Sequence, residues 1–318
     1  MWILSLLACV DGDAPIVSGD TTEIVFEVPK GATGKGLGDE LVSQKLAPSE
    51  WQWKWFIRSN DASCIKAGKH AVSPGMSMRQ VLESLCGAPI PDDEPFTVVE
   101  GWRIRDIDEA LAAKGWITAG DYIKLAESKA VDMPFEISSP TLEGYLYPET
   151  YMVEPARFST KAFIERQLTT FQERFLSKHK DQLPANRDLN AIVVMASMLE
   201  REEPNPENRP IVAGILWKRL DNSWNLGVDA TSRYTLADWN DRKAFLVKLR
   251  DPHEPYNSRL RPGLPPTAIG NPALPSLEAA LAPVESEYWY YLHDSSKGFH
   301  GGKDVAEHEA NRKKYDVW

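Results

Sequence analysis

The stretch Leu-Asn-Ala-Ile-Val-Val-Met-Ala-Ser-Met-Leu-Glu-Arg-Glu, residues 189–202, constrains this chain more than any other. Between Ala191 and Leu199 the only polar side chain is that of Ser197. A helix apolar all round has no face to offer water, so other elements must enclose it. Enclosure needs a sizeable domain, and 318 residues suffice for about two domains at roughly 150 residues each. The first polar group beyond the run is the carboxylate of Glu200, followed by Arg201, Glu202 and Glu203.

Composition removes several classes of function. With 42% hydrophobic and 26% charged residues the chain is globular over most of its length. Lys and Arg number 36 against 46 Asp and Glu, and they form no cluster, so a nucleic-acid partner is not expected. Cys9, Cys64 and Cys86 are too few for a disulfide framework, and no pair has zinc spacing. The six His include no HExxH arrangement, so no metal site is expected. Eleven Trp and ten Tyr give flat, amphipathic side chains that suit a carbohydrate ligand as well as core packing. Residues 1–9 are apolar but too short to cross a bilayer, which takes about 20. Leu6-Leu7-Ala8-Cys9 matches the pattern at which lipoprotein signals are cut and lipidated, without the usual preceding Lys or Arg. An export anchor in residues 1–20 is the expectation, either a lipid on Cys9 or a transmembrane helix lost to a start codon placed too far downstream. An ordinary first strand is the alternative.

Periodicity predicts an α+β chain. Residues 24–29 alternate as a strand, Gly31 turns, and Leu37, Leu41 and Leu46 recur at helical spacing. Helices are predicted over 50–58 and 78–85, with an extended run at 69–73. Residues 87–94 read as a linker. The strand-Gly-helix unit then returns at one constant offset: Phe26, Gly31, Leu37 and Leu41 align with Phe96, Gly101, Ile107 and Leu111. Further helices are predicted over 120–133, 160–179, 189–202, 209–220 and 305–315. Residues 142–151 read as an ordered loop or short strand, the region beyond Asp221 as strand- and loop-rich, and 288–292 as a buried strand.

The chemistry-bearing residues follow from this frame. An apolar helix that delivers a carboxyl group at its negative end favours the protonated form needed by a general acid in glycoside cleavage. Glu200 is the candidate, and by helical spacing only Glu203, not Glu202, shares its face. Being simply the first polar residue past a buried helix is the plainer alternative. Asp229 and Thr231 lie in Leu226-Gly-Val-Asp-Ala-Thr, and Tyr256 and Asn257 precede the Pro-rich loop 261–272 with Leu264 and Pro265. Stiff loops carrying Tyr and Asn make sugar-contacting walls or ordinary crossings. His300 and His308 have no zinc spacing and read as surface residues, and His300 falls in a loop. Trp51 and Trp53 read as exposed.

Taken in order, Ala196-Ser-Met-Leu-Glu200-Arg-Glu, Leu226-Gly-Val-Asp229-Ala-Thr231, Tyr256-Asn257, Gly263-Leu264-Pro265-Pro-Thr-Ala-Ile269, Asn271-Pro272 and Ser276-Leu277 resemble the endolytic murein transglycosylase family. Upstream, Glu143-Gly-Tyr145-Leu-Tyr-Pro-Glu-Thr-Tyr151, Gly75-Met-Ser77 and Glu100-Gly-Trp102 are similar to further family signatures. The resemblance runs from about residue 24 to the C-terminus. It implies a LysM-like β-α-α-β peptidoglycan-binding subdomain over 21–90, then a larger α+β catalytic domain over 91–318. It implies an anchor in the cell inner membrane with the catalytic domain on the periplasmic or extracytoplasmic side, and cell-wall synthases as partners. The implied activity cuts nascent peptidoglycan strands between N-acetylmuramic acid and N-acetylglucosamine, leaves a 1,6-anhydro end, terminates elongation, and requires no cofactor.

The family's catalytic Glu is expected at Glu200, with substrate contacts at Glu143, Tyr145, Asp229, Thr231, Tyr256, Asn257, Leu264 and Pro265. One carboxyl group would donate a proton to the glycosidic oxygen and then take one from the C6 hydroxyl. The chain departs from the family at Ala230, usually Pro, at Thr267, usually Gly, and in the tail around His300 and His308. A non-catalytic peptidoglycan-binding scaffold and a hydrolytic muramidase are the alternatives.

Overall fold

The computed structural model describes residues 12–317, which form two compact units divided between Asp93 and Glu94. The proposed anchor around Cys9 lies outside the described residues. No helix among the described residues is long and apolar enough to cross a membrane.

The first unit is an antiparallel pair, β1 (Ile24–Val28) and β2 (Gly68–Val72), with Phe26 opposite His70, backed by three helices. These are α1 (Gly38–Ser43), α2 (Glu50–Ser59) and α3 (Met78–Cys86). Ser49 caps α2 by accepting from the Gln52 N–H, and Ser77 and Gln80 form a capping box on α3. Phe26, Leu41, Trp53, Phe56, Val81 and Leu85 fill the core. Trp53 corrects an expectation. It is fully buried, and its Nε1 donates to the Gly34 carbonyl at 2.7 Å, whereas Trp51 and Trp55 are exposed. Cys64 and Cys86 form a disulfide, a cross-link not foreseen from three scattered cysteines.

The second unit opens with β3 (Glu94–Thr97), then α4 (Ile104–Ala113) and α5 (Asp121–Ser128). The repeated strand-Gly-helix pattern holds in three dimensions: Phe96, Ile107 and Leu111 are buried like their counterparts, and Gly31 and Gly101 both adopt positive φ. Helix α5 stops at Ser128, short of the end that periodicity suggested. Lys129 turns left-handed there, and its Nζ donates to the Ile137 and Ser139 carbonyls. The aromatic segment 142–151 leads into β4 (Thr150–Val153), antiparallel to β3 with Phe96 opposite Tyr151. Helix α6 (Thr160–Phe171) runs on through a π-helical turn, Gln172–Leu176, into the short α7 (Ser177–His179).

The apolar run is α8 (Leu189–Glu202), and every residue from Ile192 to Leu199 is buried. Each such aliphatic side chain contributes about 1.5–3 kcal/mol, so this helix is the energetic centre of the unit. Helices α9 (Arg209–Asp221), α10 (Asp229–Arg233) and α12 (Leu274–Leu281) pack on it. With α11 (Arg242–Arg250), the short α10 and α12 occupy sequence that read as strand and loop. Pro275 obscures α12 but is tolerated in its first turn. Finally β5 (Tyr290–His293) pairs with β6 (Phe299–Gly302), and α13 (Val305–Lys314) follows. Only Leu292 of β5 is buried, so this is a partly exposed hairpin strand and not the core strand expected.

Candidate active site

The C-terminal end of α8 carries Glu200, Glu202 and Glu203 into three different surroundings. Glu200 has 5% of its side chain exposed. Arg209 of α9 holds it at 3.0 Å to Oε1 and 3.4 Å to Oε2, and the Ala273 N–H donates to Oε2 at 2.9 Å. Both oxygens therefore serve as acceptors that tie α8 to α9 and to the start of α12. These contacts tie Glu200 into the packing of the three helices.

Glu202 instead lines an open cavity of about 460 Å³. Around it stand Asp229, Arg219, Arg259, Trp224, Tyr290 and Tyr291. Burial pushes the Glu202 carboxyl above its ordinary range, and the nearby charge of Asp229 adds to this. Asp229 is the first residue of α10, 41% exposed, and Arg259 Nε pairs with it at 2.6 Å. Gly227 takes φ +69°, and its N–H donates to the Ser258 carbonyl at 3.0 Å; that backbone conformation favours glycine. Arg219 donates to the Trp289 carbonyl and lies within 6 Å of the rings of Trp224, Tyr290 and Tyr291. The cavity thus offers one carboxyl group whose surroundings favour the proton, a second ion-paired with arginine, and aromatic faces for a sugar ring.

Glu203 is fully buried. Its Oε1 accepts from the Asn205 N–H at 2.8 Å, and its Oε2 lies 2.7 Å from His293 Nε2. The Glu203 hydrogen bond raises the His293 pKa against the effect of burial. His308, expected at the surface, is half-buried, lines the cavity and stacks on Tyr290. His300 lies in β6 rather than in a loop, pairs with Asp294 at 2.7 Å and stacks on Tyr315.

Of the expected substrate contacts, the structure brings only Asp229 to the Glu202 cavity. Thr231 is buried, its Oγ1 donating to the Val228 carbonyl and to Ser258. Asn257 is buried too, its Nδ2 donating to the carbonyls of Lys248, Leu249 and Asp251 at the end of α11. Tyr145 is buried with its hydroxyl on Asn190. Tyr256, Leu264 and Pro265 line a separate cavity of about 170 Å³. Tyr256 also borders one of about 280 Å³ that contains Glu143.

Glu143 belongs to a buried polar knot. It accepts from the Ile104 N–H and, at 2.9 Å, from the Tyr234 hydroxyl. Burial raises its pKa to about 8. Asn271 binds the Gly144 and Leu146 N–H groups and the Trp102 carbonyl. Gly144 has φ +92°, and a Cβ there would sit 2.5 Å from the Cβ of Ala268, so only glycine fits. The motifs around residues 101, 143 and 271 therefore meet as a scaffold.

Sequence reasoning set Glu202 aside because i+2 faces away from Glu200 on a helix, and the structure places it on the wall of the cavity that holds Asp229. Pro204 forces the residue before it out of the helix, and the Glu203 backbone is extended. Helical spacing from Glu200 could not be carried past that point. Among the described residues no group of three or more His, Cys, Asp or Glu is placed to hold a metal ion.

Comparison with known proteins bears on the whole chain. The description "YceG-like family" matches residues 26–314. A Bacillus subtilis (strain 168) protein named endolytic murein transglycosylase is 24% identical over 95% of this chain and 87% of its own. A protein of the same name from Streptococcus pneumoniae serotype 2 is 20% identical over 91% of this chain, which spans 57% of that relative's length. The 2.6 Å crystal structure of a yceG-like protein from Listeria monocytogenes is similar at TM-score 0.61 and 25% identity. That match covers 91% of this chain and 99% of that one.

Proposed function

The chain belongs to the YceG-like family, and from that membership we infer that it is an endolytic murein transglycosylase, a lyase that cuts peptidoglycan strands internally. For its site we propose Glu202 as the acid and Asp229 as its charged neighbour. The observation that carries this is their shared, aromatic-walled cavity, together with the prior engagement of Glu200 by Arg209 and Ala273.

In this reading protonated Glu202 donates to the glycosidic oxygen as the bond from C1 breaks. Positive charge builds on the muramic ring, and the Asp229 carboxylate opposes it while Arg259 keeps that carboxylate in place. The Glu202 carboxylate then takes the C6 hydroxyl proton as O6 bonds to C1. The donated proton stays on the departing sugar's hydroxyl, the C6 hydroxyl proton restores the Glu202 acid, and a 1,6-anhydro end forms without water. Trp224, 40% exposed, supplies a stacking face.

The first unit, residues 21–90, serves in this proposal as a LysM-like glycan-binding subdomain, with Trp51 and Trp55 as exposed contacts. The catalytic unit faces the extracytoplasmic side of the inner membrane, tethered through the N-terminal segment. The Cys64–Cys86 disulfide supports an oxidising compartment. Cutting strands while they are being made terminates elongation and places the enzyme beside cell-wall synthases.

Mass analysis of products from purified sacculi tests the reaction. Transglycosylation leaves ends lighter by one water than hydrolysis does. Reducing ends alone would replace this reading with a muramidase.

A further inference from the structure

Strand β5 delivers two side chains to two successive carboxyl groups of α8. A strand's alternation puts residues two apart on one face, and the rings of Tyr291 and His293 are 6.0 Å apart. Tyr291 and Glu202 line the same cavity, and His293 Nε2 lies 2.7 Å from Glu203 Oε2. Glu203 is itself fixed. It is fully buried, its other oxygen accepts from the Asn205 N–H, and its carbonyl accepts from Arg209 Nε at 3.0 Å. The strand therefore sets His293 against Glu203 and Tyr291 on the cavity wall shared with Glu202. The Tyr291 ring is held in turn between Arg219, at 5.9 Å, and Phe299, stacked at 6.3 Å.

We propose that Tyr291 is a positioning residue for the Glu202 acid, its phenol fixing the carboxyl group while the His293–Glu203 pair locks β5 to the end of α8. The proposal rests on the assignment of Glu202 made above. A glutamate side chain free at a helix end samples several rotamers, and ordering it costs side-chain entropy. A phenol held on a strand meets that cost before substrate arrives, which is what a proton donor needs. A donated O–H also favours the carboxylate over the acid. It thereby opposes burial and the repulsion from Asp229, the two influences that favour the proton. The other charged and titratable groups facing Glu202 are Arg259, Arg219 on α9, His293 on β5, and His308, which lines the same cavity.

The test uses the full chain on soluble, uncross-linked glycan strands, comparing wild type with Tyr291→Phe, His293→Gln and Glu202→Gln. Tyr291→Phe is expected to keep the unfolding midpoint, lower kcat about tenfold, change KM by less than twofold and move the basic limb of the kcat–pH profile upward. His293→Gln, which keeps the phenol but frees the strand, is expected to move kcat and the limb the same way by less. A basic limb unmoved in Tyr291→Phe overturns the proposal, even with a lower kcat, because a structural role would leave the limb in place. Should Tyr291→Phe not fold, unchanged kcat and limb in His293→Gln overturn it. Activity retained by Glu202→Gln sinks the underlying assignment instead, so the two failures are told apart.

Discussion

Replacing Glu143 by glutamine should stabilise the protein at neutral pH and remove part of its pH dependence. Glu143 is 1% exposed, and burial holds its folded pKa at about 8 against an ordinary 4.5. Above pH 4.5 the unfolded chain releases this proton while the folded chain keeps it. Stability from this group is therefore complete below pH 4.5 and is lost as pH rises through about 8. The slope is about 1.4 kcal/mol per pH unit, and the whole window amounts to something on the order of 5 kcal/mol. Glutamine has the hydrogen-bonding pattern of the protonated acid. Its carbonyl can accept from the Ile104 N–H, and its amide can donate to the Tyr234 oxygen. Urea unfolding followed by tryptophan fluorescence at pH 5, 6, 7 and 8 gives the comparison. The advantage of Glu143→Gln over wild type should grow steadily from pH 5 to 8 and level off above. A pH-independent difference would refute the reasoning, because it would mean that the donors around Glu143 outweigh burial and keep it ionised in the fold.

Three further outcomes follow from the structure. Glu200→Gln leaves Arg209 buried without its charged partner and should cost about 3–5 kcal/mol in urea unfolding, yet retain turnover per folded molecule. Reducing Cys64–Cys86, or replacing both cysteines by alanine, should destabilise the first unit by about 3 kcal/mol, seen as a lower midpoint in its own thermal transition, with no loss of cleavage of short soluble glycans. Trp51→Ala should weaken pelleting with purified sacculi while the melting temperature stays within a degree or two; unchanged binding would make the first unit a spacer.

What could be read from the sequence was set by local physics. Helix α8 was legible to its ends because an unbroken apolar run closed by Glu203-Pro204 has only one burial solution. The paired strand-Gly-helix units were legible from alternation and a turn glycine. The short α10 and α12 were not, because few residues carry their periodicity and Pro275 sits inside α12. Asp241, which caps α11 by accepting from the Ala244 N–H, was a usable signal.

The site was harder, since a polar side chain that caps a helix and one that meets a sugar are the same residue type. Asn257, Thr231 and Tyr145 bond backbone and neighbouring side chains, which only the fold reveals. Trp53 stands two residues from exposed Trp51, yet the helix turns it to the core. The distinction between Glu200 and Glu202 depends on Arg209, close to Glu200 along the chain, and on the Ala273 N–H, far from it.

The most direct measurement places Glu202→Gln beside Glu200→Gln in a digest of purified sacculi, with released anhydro ends quantified per folded molecule. Glu202→Gln should lose more than about 10²-fold of the activity, the low end of what a positioned acid supplies, while Glu200→Gln releases the same anhydro products as wild type. Anhydro ends from Glu202→Gln at near wild-type rate, with folded Glu200→Gln inactive, would contradict the assignment and return the catalytic role to Glu200.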